Sequence, residues 1–199
     1  MNRDKFFAAI EETLFHPLSQ SQVDGINAIL DAWEHTAPNS DPRFIAYSLA
    51  TTYHETARTM QPIREIGRGH GRAYGVPVGP WHQIYYGRGD VQETWLRNYQ
   101  FANAKLHALG LLKDSEDLVK TPDLALRTDV AAAIMIHGML DGWFTGRKLG
   151  HFFFGSRSDP IDARTIINGH DKATLVASYY HGFLHGLQAA AGATRDVAA

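Results

Sequence analysis

The chain has 199 residues, 44% of them apolar, which suffices for one domain with a sizeable core and is an ordinary globular composition. A formal charge of -2 provides no field to draw nucleic acid or an anionic membrane, although eleven histidines leave that charge sensitive to mild acid. Cysteine is absent, which excludes thiol catalysis and disulfides and fits synthesis in the cytosol.

Met1 to Phe7 mix charges, and Glu11 and Glu12 break any apolar run, so no signal peptide is expected. Phe6, Ala9, Ile10, Thr13 and Leu14 recur at helical spacing and predict an amphipathic helix over 3–15, ended before Pro17. Ser19 and Gln22 form a capping-box pattern that opens a second helix, with Val23, Ile26, Leu30 and Trp33 on its face and an end near Pro38. Asp41-Pro42 reads as an N-cap followed by proline at the first helical position, and the third helix should run through His54 and Glu55 to about Arg58. From Pro62 to Trp81 the periodicity is lost. Seven glycines or prolines follow Ile66, interspersed with Arg68, His70 and Arg72, and a loop of this length points to function. Residues 83–94 predict short strands, with a helix taking over near Thr94. Thr121-Pro122-Asp123 opens a further helical region, and Val130 to Met135 reads as a buried helix. Its apolar run, to Leu140, is shorter than the roughly 20 residues that span a bilayer. Ile166-Ile167-Asn168-Gly169 marks a helix end and turn, 171–188 the last helix, and 189–199 a frayed Ala-rich end. With no repeat or linker, the expectation is a single, mainly α-helical domain over 1–199, carrying a small irregular or β element and a long glycine-rich loop.

Chemistry concentrates between His54 and Tyr99. Glu55 and Glu65 lie in an aromatic, amide- and glycine-rich neighbourhood, upstream of Gln92 and Thr94. Two carboxyls of this kind are what splitting a glycosidic bond requires: one protonates the leaving oxygen and the other activates the sugar or a water. Glu55 stands near a helix C-terminus among Tyr47 and Tyr53, and both the helix end and partial burial should keep it protonated, as a general acid needs. Arg64 and Arg68 flank Glu65 and should favour its ionised form, although a salt-bridged loop residue fits the same spacing. If 90–94 is extended, Gln92 and Thr94 share a face and can hold a sugar amide and a water; a β-bonding pair or a helix cap is an equal reading of that spacing. Asn98 and Asn168 are further amide candidates, Asn168 being first of all a turn signal before Gly169. Trp81, Tyr85, Tyr86 and Trp95 are candidate sugar-stacking surfaces. Other chemistries fit worse. His54-Glu55 lacks the second histidine of a zinc-peptidase motif, Arg58 occupying its place, and neither Gly67–Gly71 nor Gly87–Gly89 completes a nucleotide-binding pattern. No metal or cofactor is expected.

The string Tyr85-Tyr86-Gly87-Arg88-Gly89 with Gln92, Thr94-Trp95 and Asn98-Tyr99 resembles glycoside hydrolase family 19, in its bacterial and phage branch. His54-Glu55-Thr56, Gln61 to Glu65, Thr121 to Ala125, Gly142 to Gly146 and Ile166 to Gly169 look like segments of the same family, so the likeness covers most of the chain. The resemblance implies a lysozyme-like helical fold and inversion at the anomeric centre. Glu55 would be the general acid, Glu65 the general base and Thr94 a water-positioning hydroxyl, with Gln92, Asn98 and Asn168 lining the cleft. Asp90 and Glu93 depart from it: the family mostly carries apolar or aromatic residues there, and these two would set negative charges beside the cleft.

Chitin is neutral and peptidoglycan carries carboxylates, which Arg64, Arg68, His70 and Arg72 could meet. The expectation is therefore an endolysin acting on peptidoglycan glycan strands, with Tyr86, Arg68 and Arg72 among its substrate contacts. It would be a monomer made in the host cytoplasm that reaches the wall after holin-type release, without membrane insertion or nucleic-acid partners. A chitinase, or an inactive wall-binding or virion structural protein on the same fold, is the alternative.

Overall fold

The computed structural model describes residues 1–195. Helix α1 (Arg3–Thr13) starts where the Asn2 side chain accepts the Lys5 backbone N–H at 3.0 Å, and it buries Phe6, Ala9 and Ile10. Helix α2 (Gln20–Thr36) opens on the capping box: Ser19 Oγ accepts the Gln22 N–H at 3.3 Å and Gln22 Oε1 accepts the Ser19 N–H at 2.9 Å. Helix α3 (Pro42–Glu55) begins at Asp41, whose carboxylate accepts the Arg43 N–H at 2.9 Å. It stops three residues short of the expected Arg58 because Ala57 and Arg58 adopt positive φ, of 49° and 69°.

Every residue of α3 from Ala46 to Tyr53 is buried, so this helix has no solvent face over its last turns and delivers Glu55 from inside the molecule. Two of its hydroxyls are satisfied internally, Ser48 Oγ donating to the Phe44 carbonyl at 3.0 Å and Thr52 Oγ1 to the Met135 sulfur at 3.0 Å, whereas the buried Tyr47 and Thr51 hydroxyls have no hydrogen-bond partner among the described residues. Helices α4 (Leu96–Ala108), α5 (Thr128–Asp141) and α6 (Ala173–Arg195) complete the helical set, and α6 lies along both α1 and α3. Gly186 permits that closeness, since a Cβ there would stand 2.6 Å from Ile10. The helix continues seven residues beyond the expected 188, correcting the frayed end over 189–195; 196–199 lie outside the described residues. All six helices contribute to one buried cluster that includes Trp33, Tyr47, Tyr99, Met135 and Phe183.

The β structure is minimal. Strand β1 (Ile63–Arg64) pairs antiparallel with β2 (Arg88–Gly89), Ile63 opposite Gly89 and Arg64 opposite Arg88. A hairpin of β3 (Phe153–Phe154) and β4 (Arg157–Ser158) was not expected from the sequence, because two-residue strands carry no alternation to read. Short 3-10 turns cover Pro122–Leu126, Leu149–His151 and Asp162–Ile166. Residues 90–94 are not extended. Gln92 has φ of 55° and the segment is a tight turn, closed by the Glu93 N–H on the Arg88 carbonyl at 2.9 Å. The architecture is thus mainly α-helical with a small β element and a glycine-rich loop, as expected. Among the described residues, no helix is long and apolar enough to cross a membrane.

Candidate active site

A cleft of about 680 Å³ opens between the end of α3, the β1–β2 region, the start of α4 and the 144–168 segment. His54, Glu55, Glu65, Tyr74, Gln92, Thr94, Trp95, Asn98 and Asn168 all line it, with Ile66, Phe144 and Ile167 as apolar wall. The volume is that of a ligand site. Six of the expected site residues are therefore brought to one place although they span 114 positions of sequence, from 55 to 168.

Glu55 is the last residue of α3, but its surroundings differ from the expectation. The Arg164 guanidinium donates to Glu55 Oε1 at 2.7 Å, and both side chains are largely buried, 4% and 16% exposed respectively. Arg164 is fixed in turn by donating from Nε to the Asp171 carbonyl at 3.0 Å. An ion pair, rather than a helix end among tyrosines, thus orients the carboxyl. Glu55 Oε2 has no hydrogen-bond partner among the described residues, and Glu55 lines the cleft. Beside it, burial above all pushes the His54 imidazole below its ordinary value, against the pull of Glu55, so the ring is uncharged at neutral pH.

Glu65 is held by donors the sequence did not indicate. The Tyr74 phenol donates to Oε1 at 2.8 Å and the Gly87 backbone N–H donates to Oε2 at 3.1 Å. Burial, and then Glu65 itself, pushes the Tyr74 phenol upward, which keeps it protonated as the donor. A Cβ at Gly87 would stand 2.8 Å from Gln92 Oε1 and 3.2 Å from Gln92 Cβ, so a larger residue here would displace the Gln92 side chain. Neither flanking arginine serves Glu65: Arg64 donates to Asp123 at 2.6 Å, and Arg68 is exposed on the loop.

The polar side chains present defined faces. Thr94 Oγ1 donates to the Gln92 carbonyl at 2.8 Å, so its free capacity is as an acceptor, suited to a water proton. Gln92 Nε2 donates to the carbonyls of Ile63 and Gly89, each at 3.2 Å, which ties it across β1 and β2 and leaves Oε1 free. Asn98 Nδ2 donates to the Thr94 carbonyl at 2.7 Å and keeps its carbonyl oxygen, whereas Asn168 Oδ1 accepts the Gly169 N–H at 2.9 Å and keeps its NH₂. Trp95 is 44% exposed and packs edge-on against Tyr74, a flat surface on the cleft wall.

Three expected contacts are not in the cleft. Tyr86 is buried, its ring covered by the Arg88 guanidinium at 3.6 Å, so it offers no stacking face. Arg68 and Arg72 are exposed on the glycine-rich loop but do not line the cavity. Asp90 and Glu93, expected as negative charges beside the cleft, are 2% and 5% exposed, and burial pushes their carboxyls up to about 7 and about 8. Arg164, Tyr74 and Arg88 were missed. Arg164 lies in the mixed stretch Ile161-Asp162-Ala163-Arg164-Thr165-Ile166-Ile167, where Asp162 is a nearer carboxylate in sequence, so no local signal pointed to its burial or to Glu55.

The fold is similar to that of the crystal structure of chitinase C from Streptomyces griseus, with a TM-score of 0.57 and 22% identity over 93% of this chain and 76% of that one. A crystal structure of a mutant chitinase C gives a TM-score of 0.54 and 22% identity, covering 93% of this chain and 91% of the other. These likenesses establish the lysozyme-like helical fold. No protein-family model and no curated protein sequence matches the chain.

Proposed function

We propose that the chain is an inverting glycoside hydrolase of the family 19 type, cleaving β-1,4 bonds in the glycan strands of bacterial peptidoglycan. The observation that carries this reading is the gathering of Glu55, Glu65, Thr94, Gln92, Asn98 and Asn168 around one cleft. Glu55, held through Oε1 by Arg164, protonates the leaving oxygen; Glu65, held by Tyr74 and Gly87, takes a proton from a water that also bonds Thr94. The free amide groups of Asn98 and Asn168 match the donor and acceptor of an N-acetyl group.

Arg68 and Arg72 favour peptidoglycan. They lie on the loop whose Ile66 and Tyr74 form the cleft wall, so stem-peptide carboxylates can meet them while the glycan lies in the cavity. A specific observation also favours a second reading, hydrolysis of chitin: among the described residues no lysine or arginine lines the cleft itself, which suits a neutral polymer, and the similar structures are chitinases. In the first reading the protein is a monomer made in the cytoplasm and released to the wall by a holin-type route. Purified sacculi and soluble chitin oligomers, each incubated with the protein and analysed for products, separate these readings. Soluble glycan fragments with inverted reducing ends from sacculi support the endolysin, and turnover of chitin alone supports the chitinase. Sacculus binding with no products from either substrate leaves a wall-binding protein.

A further inference from the structure

Two carboxyl groups lie under the cleft that the proposed reaction does not use. Asp90 and Glu93 stand three residues apart on the turn 88–94, which carries Gln92 and Thr94 on its cleft side and is tied through Gly87 to Glu65. Neither Asp90 oxygen has a hydrogen-bond partner among the described residues, and both are sealed from solvent. Glu93 is 5% exposed, borders the cleft and has no side-chain hydrogen bond or ion pair among the described residues. The cations on the elements around the turn are committed elsewhere. Arg64 of β1 and Arg88 of β2 both bind Asp123, in the 3-10 turn beneath, and Arg127 binds Asp129 at the start of α5. On α4, Lys105 lies over Phe101 and His107 bonds the Glu116 carbonyl; on α5, His137 stacks on Trp143. Neither Arg97 of α4 nor Asp141 of α5 touches either group, and Tyr99 is the titratable side chain that feels Glu93. Gly89, just before Asp90, presses on the Ala125 carbonyl so closely that a Cβ would stand 2.8 Å away, so the turn has no room to tilt while it stays seated.

A buried carboxylate without a donor or cation is far more costly than a buried neutral acid. We infer that Asp90 and Glu93 are positioning residues of the cleft: as neutral acids they let the 88–94 turn seat against the core, and their ionisation unseats it together with Gln92, Thr94 and the Gly87 N–H that holds Glu65. The burial that raises both groups to around neutrality places this change within the physiological range. Its effect on hydrolysis rests on the hydrolase reading; its effect on conformation does not.

The test follows the side-chain carboxyl carbons and the backbone amides of Gly87, Gly89 and Thr94 by NMR from about pH 3 to about pH 9, beside the pH profile of kcat/KM on sacculi. In the wild type the two carboxyls should titrate near or above neutrality, with the three amides moving in step. The double variant Asp90→Asn, Glu93→Gln should hold its amides at their low-pH positions throughout. It should also exceed the wild type in kcat/KM by about tenfold one pH unit above the transition, since the neutral fraction of a group falls tenfold per unit there. Carboxyls that titrate near pH 4 in the wild type overturn the inference without need of any variant, and so do amides that move identically in both proteins. If the amides behave as expected while neither protein hydrolyses any glycan, the positioning role stands and the hydrolase reading falls.

Discussion

Replacing Asp90 with asparagine should stabilise the protein in mild alkali and leave it nearly unchanged in acid. The native carboxyl keeps its proton up to about pH 7, whereas the ordinary value is 3.8. Between those limits the folded state binds one proton more than the unfolded state, so wild-type stability falls as pH rises, by about 1.4 kcal/mol per unit. Over the interval this reaches a ceiling of about 4 kcal/mol, fully expressed above pH 7 and absent below about pH 4. Glu93, raised from 4.5 to about 8, adds a loss of the same sign and similar size. Both at their ceilings would match or exceed much of the roughly 5–15 kcal/mol that holds a domain together. Local opening of the turn, which lets water reach the carboxylates, must therefore intervene and cap the measured loss. The expected gain for Asp90→Asn is thus about 1–4 kcal/mol above pH 7. His54 and His137, pushed down by burial, act in the opposite sense over part of this range, so the difference between variant and wild type is the quantity to read. Urea denaturation of both proteins at steps from about pH 4 to about pH 9 supplies it. A difference that stays flat with pH, or shrinks as pH rises, would refute the reasoning.

Arg164→Met should destabilise the fold by about 1.5–3 kcal/mol in denaturant titration, the usual worth of a hydrogen bond to a charged group, because it removes the guanidinium that holds Glu55 Oε1 at 2.7 Å; a loss well under about 1 kcal/mol would deny the pair its structural weight. Glu65→Gln should slow hydrolysis by about 10²–10⁴-fold. Thr94→Ala should be milder, since solvent can replace a hydroxyl that only accepts from water, and equal losses in the two variants would place Thr94 in a different role. Replacing Arg68 and Arg72 with glutamine should reduce hydrolysis of sacculi more than that of neutral chitin oligomers. The wild-type advantage on sacculi should decline with salt, as exposed charges are screened over about 10 Å at 0.1 M ionic strength. Rates that do not respond to salt would remove the loop from wall recognition.

The helices were legible because their signals are local: the Ser19–Gln22 capping box, the Asp41-Pro42 start and the apolar periodicity of α1 and α2 each need only a few adjacent residues. The β3–β4 hairpin was not, being too short for a period. Glu55, Glu65 and the amide set singled out in the sequence line one cleft, but what holds them was not legible. Arg164 reaches Glu55 across 109 residues and Tyr74 reaches Glu65 from the loop, and no local pattern encodes such pairs. The largest misreading was electrostatic. Arg64 and Arg68 flank Glu65 in sequence, yet the first turns to Asp123 and the second to solvent; Asp90 and Glu93, read as negative charges beside the cleft, are buried carboxyls because positive φ at Gln92 folds the segment into a turn instead of a strand.

The central claim is that Glu55 delivers the proton that breaks a glycosidic bond, and the most direct measurement is the hydrolysis rate of the Glu55→Gln variant on purified sacculi. Glutamine matches the size of the acid and can still meet Arg164, so the fold should survive with an unchanged circular dichroism spectrum. The account predicts a rate at least about 10²-fold below the wild type, the loss of a general acid. A folded variant that hydrolyses sacculi at close to the wild-type rate would contradict it.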